Sequence, residues 1–362
     1  MNKKRLTWVD VTKGLLMILV VVGHYPGQLD FPLGKYIYWF HMPAFFLLSG
    51  LFFKPIFEKG QSKQAIHKRF MQLIVPYLFF LVSITVIRYG MEIGSGNMEL
   101  SWYLNDLWTL VIGGRFARGA YGVFWFVTTL FFTYLFFLWM TKYFNRTKQI
   151  IILSIFYLIA HAESLIAMRV IGGAPDEASQ TIPMIWNVDV ALMAVVYFAL
   201  GYYMKDIWMN VTKPWLIAGL IGSISAFLLD WFHVIDYHLS MKFLRYEHIV
   251  LDIVIPISIT LVFVGIMQRI AAKLSLTWLQ QIEKHSISIM YLHIFTDIML
   301  NDYFQYGLIG FTAFGLIIPI IVSIIIQKVV PHGKLFLGGF NPNRKKPATK
   351  STSKPSSIPV TH

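Results

Sequence analysis

Ten apolar stretches, each close to the length of one bilayer crossing, divide most of the chain. They lie at roughly 9–25, 36–53, 70–91, 119–140, 150–167, 183–204, 214–231, 248–267, 285–300 and 307–327. A helix needs about 20 residues, at 1.5 Å each, to cross ~30 Å of hydrocarbon. The fifth stretch, which carries His161 and Glu163, and the short ninth fit this description least well. With 56% apolar and 14% charged residues and a mean hydropathy of +0.60, the chain has more apolar surface than a soluble domain of 362 residues can bury. The expected fold is all-α: a polytopic integral membrane protein with about ten transmembrane helices.

The formal charge of +13 is unevenly placed. Seven of the 31 Lys and Arg residues (Lys35, Arg88, Arg115, Arg118, Arg169, Lys242 and Arg245) fall on one side of the alternating spans. The remainder, from Lys3, Lys4, Arg5 and Lys13 through Lys54, Lys59, Lys63, Lys68 and Arg69 to the C-terminal segment, fall on the other. By the positive-inside rule both termini are cytoplasmic. The basic charge therefore reads as a topology signal and argues against nucleic acid as a partner. Met1–Arg5 followed by an apolar run also resembles a signal peptide, but Gly23-His24-Tyr25-Pro26-Gly27 offers no small-x-small cleavage pattern, so a retained first helix is expected.

Residues 1–327 read as one membrane domain and 328–362 as a basic tail rich in Lys, Pro, Ser and Thr, expected to be disordered and cytoplasmic. The longest outer loops fall at about 92–118 and 232–247, with smaller ones at 26–35 and 168–182. The 232–247 loop gathers His233, Asp236, His238, Lys242, Arg245 and Glu247 without compact metal-ligand spacing, so it reads as a solvated polar loop. The chain contains no cysteine, which excludes disulfides, thiolate metal sites and a cysteine nucleophile. Neither a metal nor a permanently bound cofactor is expected. No internal repeat of the kind that marks inverted-repeat transporters is evident.

Ionisable side chains inside apolar spans are costly and usually functional. The first span carries Asp10, Lys13 and His24. Asp10 and Lys13, three apart, share a helix face and can pair near the inner surface. Lys13 and His24, eleven apart and almost three turns, share that face with roughly 16 Å between them along the axis. Gly23 leaves room beside His24 for close approach of a helix or substrate. Taken singly, Lys13 also fits a snorkelling anchor and His24 a histidine bonded to a carbonyl. The second span contains Phe40-His41-Met42-Pro43. His41 lies at a depth comparable to His24, where two histidines can serve as general base and orienting partner. It equally fits an interfacial residue beside Trp39. Pro43 is expected to kink its helix. Arg69 and Gln72 share a face at the inner surface, where they can grip phosphate or set topology. In the ninth span His293 and Asp297 are spaced i, i+4, so Asp297 can orient His293 or make a structural bond. Asp189 and Asp252 imply a polar interior with roles left open.

These residues resemble the acyltransferase 3 family, particularly its fucose 4-O-acetylase-like branch. The resemblance rests on Asp10-x-x-Lys13-Gly14, the spacing of Lys13 and His24 with Gly23 before it, and Phe40-His41-Met42-Pro43. Ser49-Gly50, the basic turn before Val75-Pro76, Trp125-Phe126 and Ser286 through Tyr291-Leu292-His293 extend it across nearly the whole membrane region. It implies transfer of an acyl group, usually acetyl, from a cytoplasmic coenzyme A thioester to a hydroxyl on an extracytoplasmic glycan or glycolipid. His24 then matches the family's catalytic histidine and Lys13 its basic partner, with His41 beside them. Arg69 matches the first arginine of an Arg-x-x-Arg motif whose second position is Gln72 here, a departure from the phosphate-binding pattern. Lys13 keeps the charge of an arginine common at its position but not the bidentate geometry. Asp10, Arg69, Gln72 and His293 complete the candidate substrate-binding set. Many relatives carry a hydrolase-like domain after the last helix; here acceptor choice is expected to come from loops or a partner. A transporter of polysaccharide or lipid-linked sugar, or an accessory subunit of envelope synthesis, are the competing readings. The expected location is a bacterial plasma membrane.

Overall fold

The computed structural model describes residues 6–27, 33–56, 58, 60–170, 182–246 and 248–340. The basic cluster Lys3–Arg5, Glu247 and most of the expected tail therefore lie outside the described residues. The chain begins with α1 (Thr7–Gly23), a short α2 (Leu33–Tyr38) and α3 (His41–Leu51). The long α4 (Gln61–Gly94) leads to α5 (Leu100–Ile112), α6 (Trp125–Tyr143) and α7 (Arg146–Val170). Next come α8 (Val190–Tyr203), α9 (Lys205–Met209) and α10 (Lys213–Trp231). A small antiparallel hairpin follows, β1 (Leu239–Ser240) and β2 (Arg245–Tyr246), with Leu239 opposite Tyr246. The remainder is α11 (Leu251–Lys273), α12 (Thr277–Lys284), α13 (Ser286–Leu300), α14 (Leu308–Val329) and α15 (Gly333–Phe336).

Among the described residues a helix occupies each of the ten apolar stretches, and seven helical segments are long and apolar enough to cross a membrane. The outward side chains of these helices are apolar: Val86, Ile166, Ile221 and Ile309 are all largely exposed. Surfaces of that kind are stable only against lipid, so the molecule is a multi-pass helical membrane protein. The most apolar window of α10 is 17% buried, whereas that of the segment containing α6 is 67% buried and that containing α8 is 61% buried. α6 and α8 thus form the centre, and α10 faces the bilayer.

Close packing at the centre depends on missing side chains. Gly50 of α3 and Gly201 of α8 lie reciprocally against the Phe198 and Leu47 carbonyls, and a Cβ at either would collide with the opposing backbone. Gly14 of α1 meets the Leu279 carbonyl of α12 in the same way. Small residues allow this approach where lipid gives helices no hydrophobic drive to associate.

Three features depart from the expectations drawn from sequence. The expected kink at Pro43 takes the form of a complete break between α2 and α3, at Trp39–Phe40. The proline ring would meet the carbonyl four residues back, that of Trp39, so the helix restarts with Pro43 in its first turn, where a missing N–H costs nothing. The segment 92–118 is not an open loop but holds α5, and Arg88 of α4 bridges to its Asp106 at 3.2 Å. The chain after Lys328 also begins folded: Phe336 of α15 stacks on Phe79 at 4.5 Å, so these apolar side chains find a surface on α4 that composition alone did not reveal.

Candidate active site

His24 closes the end of α1, and His41 opens α3 after the break. Both line one cavity of about 420 Å³, together with Met17, Val20, Tyr38, Met42, Trp125 and Phe126. The hairpin residues His238 to Phe243 and Arg245 line its other side. The Tyr38 ring stands between the two imidazoles, 6.1 Å from His24 and 5.0 Å from His41. Its hydroxyl donates to the Gly23 carbonyl at 3.2 Å. At Gly23 a Cβ would make only ordinary contacts with Ile37 and Tyr38, so the space beside His24 is set by the break before α3 more than by the glycine.

The tautomers follow from the backbone. His24 Nδ1 donates to the Val20 carbonyl at 2.7 Å, and His41 Nδ1 donates to the Ile37 carbonyl at 2.7 Å. A carbonyl only accepts, so the proton of each neutral ring sits on Nδ1 and the lone pair on Nε2. Neither Nε2 is among the buried atoms without a partner, and both rings border the cavity. Two imidazoles, each with its lone pair on Nε2, thus border one space. His293 is a third imidazole, buried behind His24 at 5.1 Å, with Nδ1 donating to the Ile289 carbonyl and Nε2 left unpartnered. Asp297 does not orient it; that carboxylate accepts from the Tyr306 hydroxyl at 2.9 Å.

At the opposite end of the helices, Lys13 lies over the Phe52 ring at 5.8 Å, and Arg69 over the Tyr134 ring at 5.0 Å. Phe53 packs against Tyr134 at 5.7 Å, so the two cations flank one aromatic group formed by the end of α3 and by α6. Asp10 is buried in the first turn of α1, where a carboxylate suits the helix dipole. Gln72 donates to the Phe340 carbonyl at 3.2 Å and so ties down the segment after α15. Met17, one turn along α1 from Lys13, lines the cavity, so the space beside His24 reaches toward the cationic end.

The loop after α10 is solvated only at its start, where residues 232–234 and Asp236 are exposed. Tyr237, Leu239, Met241, Leu244 and Tyr246 are buried, and these apolar residues alternate with the polar ones that suggested solvation. A buried polar frame holds it. Trp39 Nε1 donates to the Tyr237 carbonyl at 3.0 Å, and Lys35 pairs with Asp230 at 2.7 Å. Ser164 donates to the Leu244 carbonyl at 2.5 Å, and Asn187 Nδ2 donates to the Lys242 carbonyl at 3.2 Å. Asn187 in turn accepts from the Arg115 backbone, while the Arg115 guanidinium pairs with Asp189 and approaches Glu163 at 4.0 Å. His161 spans the Tyr157 carbonyl and the Asp252 carboxylate at 2.9 and 3.1 Å. Asp189 and Asp252 thereby acquire roles: they anchor the cavity's cover. Sequence reasoning passed over Tyr38 and Asn187, gave Arg115 only a topology role and placed Lys242 in a solvated loop. Among the described residues no three His, Asp or Glu side chains come together to hold a metal ion.

A family model described as an acyltransferase domain matches residues 6–328. The chain belongs to the acyltransferase 3 family. The nodulation protein NolL of Mesorhizobium japonicum is 31% identical over 146 residues, covering 38% of this chain and 36% of that protein. NolL of Sinorhizobium fredii is 34% identical over 96 residues, covering 24% of this chain and 26% of that protein. The matched segment thus spans about a third of these relatives' length or less. No solved structure matches the chain. The reaction class of the family is acyl transfer.

Proposed function

We propose that this protein transfers an acyl group, acetyl by expectation, from cytoplasmic acyl-coenzyme A to a hydroxyl of an extracytoplasmic glycan or glycolipid. In this reading the ten apolar stretches all cross a bacterial plasma membrane, with both termini cytoplasmic. The observation that carries it is the pair of imidazoles lining one cavity, each with Nδ1 locked to a carbonyl and its lone pair left on Nε2. His24 Nε2 takes the proton of the acceptor hydroxyl as its oxygen attacks the thioester carbonyl carbon. The carbon–sulfur bond then breaks, the imidazolium returns its proton to the departing thiolate, and an ester and a free thiol result. His41 orients the acceptor from the far side of Tyr38. Lys13 and Arg69 suit the phosphates of coenzyme A, which stay at the inner surface while the thioester arm reaches past Met17 toward His24. The hairpin covers the outer side, where excluding water protects the thioester from hydrolysis.

The test is free-thiol release from acetyl-coenzyme A by purified protein supplied with envelope glycan. Removing a general base costs about 10²–10⁴-fold in rate, so His24→Ala is expected to fall by that much and His41→Ala by less. Release by His24→Ala at the wild-type rate would remove His24 from the chemistry.

A further inference from the structure

The cavity's cover carries charge that acyl transfer to a neutral sugar does not require. Among the described residues, three cationic side chains line the cavity (Lys35, Lys242 and Arg245), and no carboxylate does. Lys35 is committed to Asp230 at 2.7 Å and Asp236 at 3.2 Å. Lys242 is different. Its Nζ reaches from the hairpin to the turn before α6, where it donates to the Ala117 carbonyl at 3.1 Å, and it pairs with no carboxylate among the described residues. The same turn leaves space for it at Gly122, where a Cβ would sit 3.9 Å from Nζ. A carbonyl takes one of the three ammonium protons and none of the charge. Burial and the nearby Arg118 push this lysine down to about 7, as expected of a cation held near others without a counter-ion. An uncompensated lysine facing a cavity is stabilised by an anion placed there.

We propose that the acceptor is an anionic sugar, bearing a carboxylate or a phosphate close to the acylated hydroxyl, and that Lys242 receives that charge. The apolar walls formed by Met42, Phe45, Trp125 and Phe126 face the sugar ring, and Lys242 supplies the charged contact that sets which ring enters. This inference rests on the acyl-transfer reading for what the ligand does next, but binding itself is measurable with no donor present.

The experiment uses the full chain in nanodiscs without acyl-coenzyme A and two matched pairs of probes. One is a hyaluronan tetrasaccharide against its carboxyl-reduced form, and the other is maltotetraose phosphate against maltotetraose. At least one charged member is expected to bind tenfold or more tightly than its neutral partner, and the pair that separates identifies carboxylate or phosphate. Lys242→Met is expected to abolish the preference and Lys242→Arg to retain it. Equal binding within both pairs overturns the proposal, as does a preference that survives in Lys242→Met. Unchanged binding with a slowed transfer step in Lys242→Met also overturns it, since that pattern belongs to a group acting only on the reaction's developing oxyanion. The wild-type comparison decides whether or not the variant folds. A charge preference in a protein that transfers no acyl group would instead sink the acyl-transfer reading alone.

Discussion

His24, His41 and His293 each use Nδ1 to hold a carbonyl four residues back, and what separates them is what Nε2 meets. For two of them it is the cavity; for His293 it is closed protein. In the proposed reading Arg69 and Lys242 divide the charged work at the two ends. Arg69→Ala is expected to raise the KM for acyl-coenzyme A about tenfold, the loss of one exposed phosphate contact worth ~1.4 kcal/mol, with kcat little changed; unchanged KM would return Arg69 to a topology role. Lys242 and Lys35 give a pH signature. Lys242 is pushed down to about 7, whereas Lys35 is raised: burial opposes its charge, but its bonds to Asp230 and Asp236 outweigh that. An amine is nucleophilic only when deprotonated, so above pH 7 Lys242 should label with a small amine-reactive reagent while Lys35 stays protected. Mass spectrometry of protein labelled between pH 6 and 9 checks this, and equal labelling of the two lysines would contradict it. At this scale His24, His41, Lys13 and Arg69 stood out as candidates because ionisable groups are conspicuous in apolar sequence. Lys242 was not, because a lysine in a polar loop looks solvated until the loop is seen to fold over a cavity.

Among the elements, α3 and α8 approach backbone to backbone through Gly50 and Gly201. Gly50→Val has no space to expand into and is expected to cost about 1–3 kcal/mol, read as a lowered melting temperature. The hairpin depends on buried charge instead. Arg115→Ala leaves Asp189 buried without its partner, a loss of about 3–5 kcal/mol when a buried pair is broken. The Arg115 backbone N–H still bonds Asn187 in this variant, so acceptor binding is expected to weaken only as far as loss of the Asp189 pair loosens the frame under the Lys242 carbonyl. A variant with wild-type melting and wild-type acceptor affinity would show that the frame does not hold the cover. The apolar helices could be read from length and hydropathy alone. The break before α3 was legible only as a proline kink, since its position depends on the Trp39 carbonyl, and α5 and the hairpin are built by long-range contacts that no local pattern records.

Across the whole molecule, charge is arranged on an axis: Lys13 and Arg69 at one end, His24 and His41 further along, Lys242 and Arg245 beneath the hairpin. In the proposed reading the first end faces the cytoplasm, as the sequence distribution of Lys and Arg predicts. Cysteines introduced singly at Ser62 and at Asp236 of this cysteine-free chain are expected to react with a membrane-impermeant thiol reagent from opposite faces of intact cells, Asp236 from outside. The sidedness of the reaction bears most directly on the central claim. Protein is reconstituted in one orientation in liposomes, labelled acetyl-coenzyme A is supplied only on the Lys13 and Arg69 side, and glycan acceptor only on the hairpin side. The account predicts labelled ester on the glycan with wild-type protein and its loss with His24→Ala. Transfer only when donor and acceptor share one side, or undiminished transfer by His24→Ala, would contradict it.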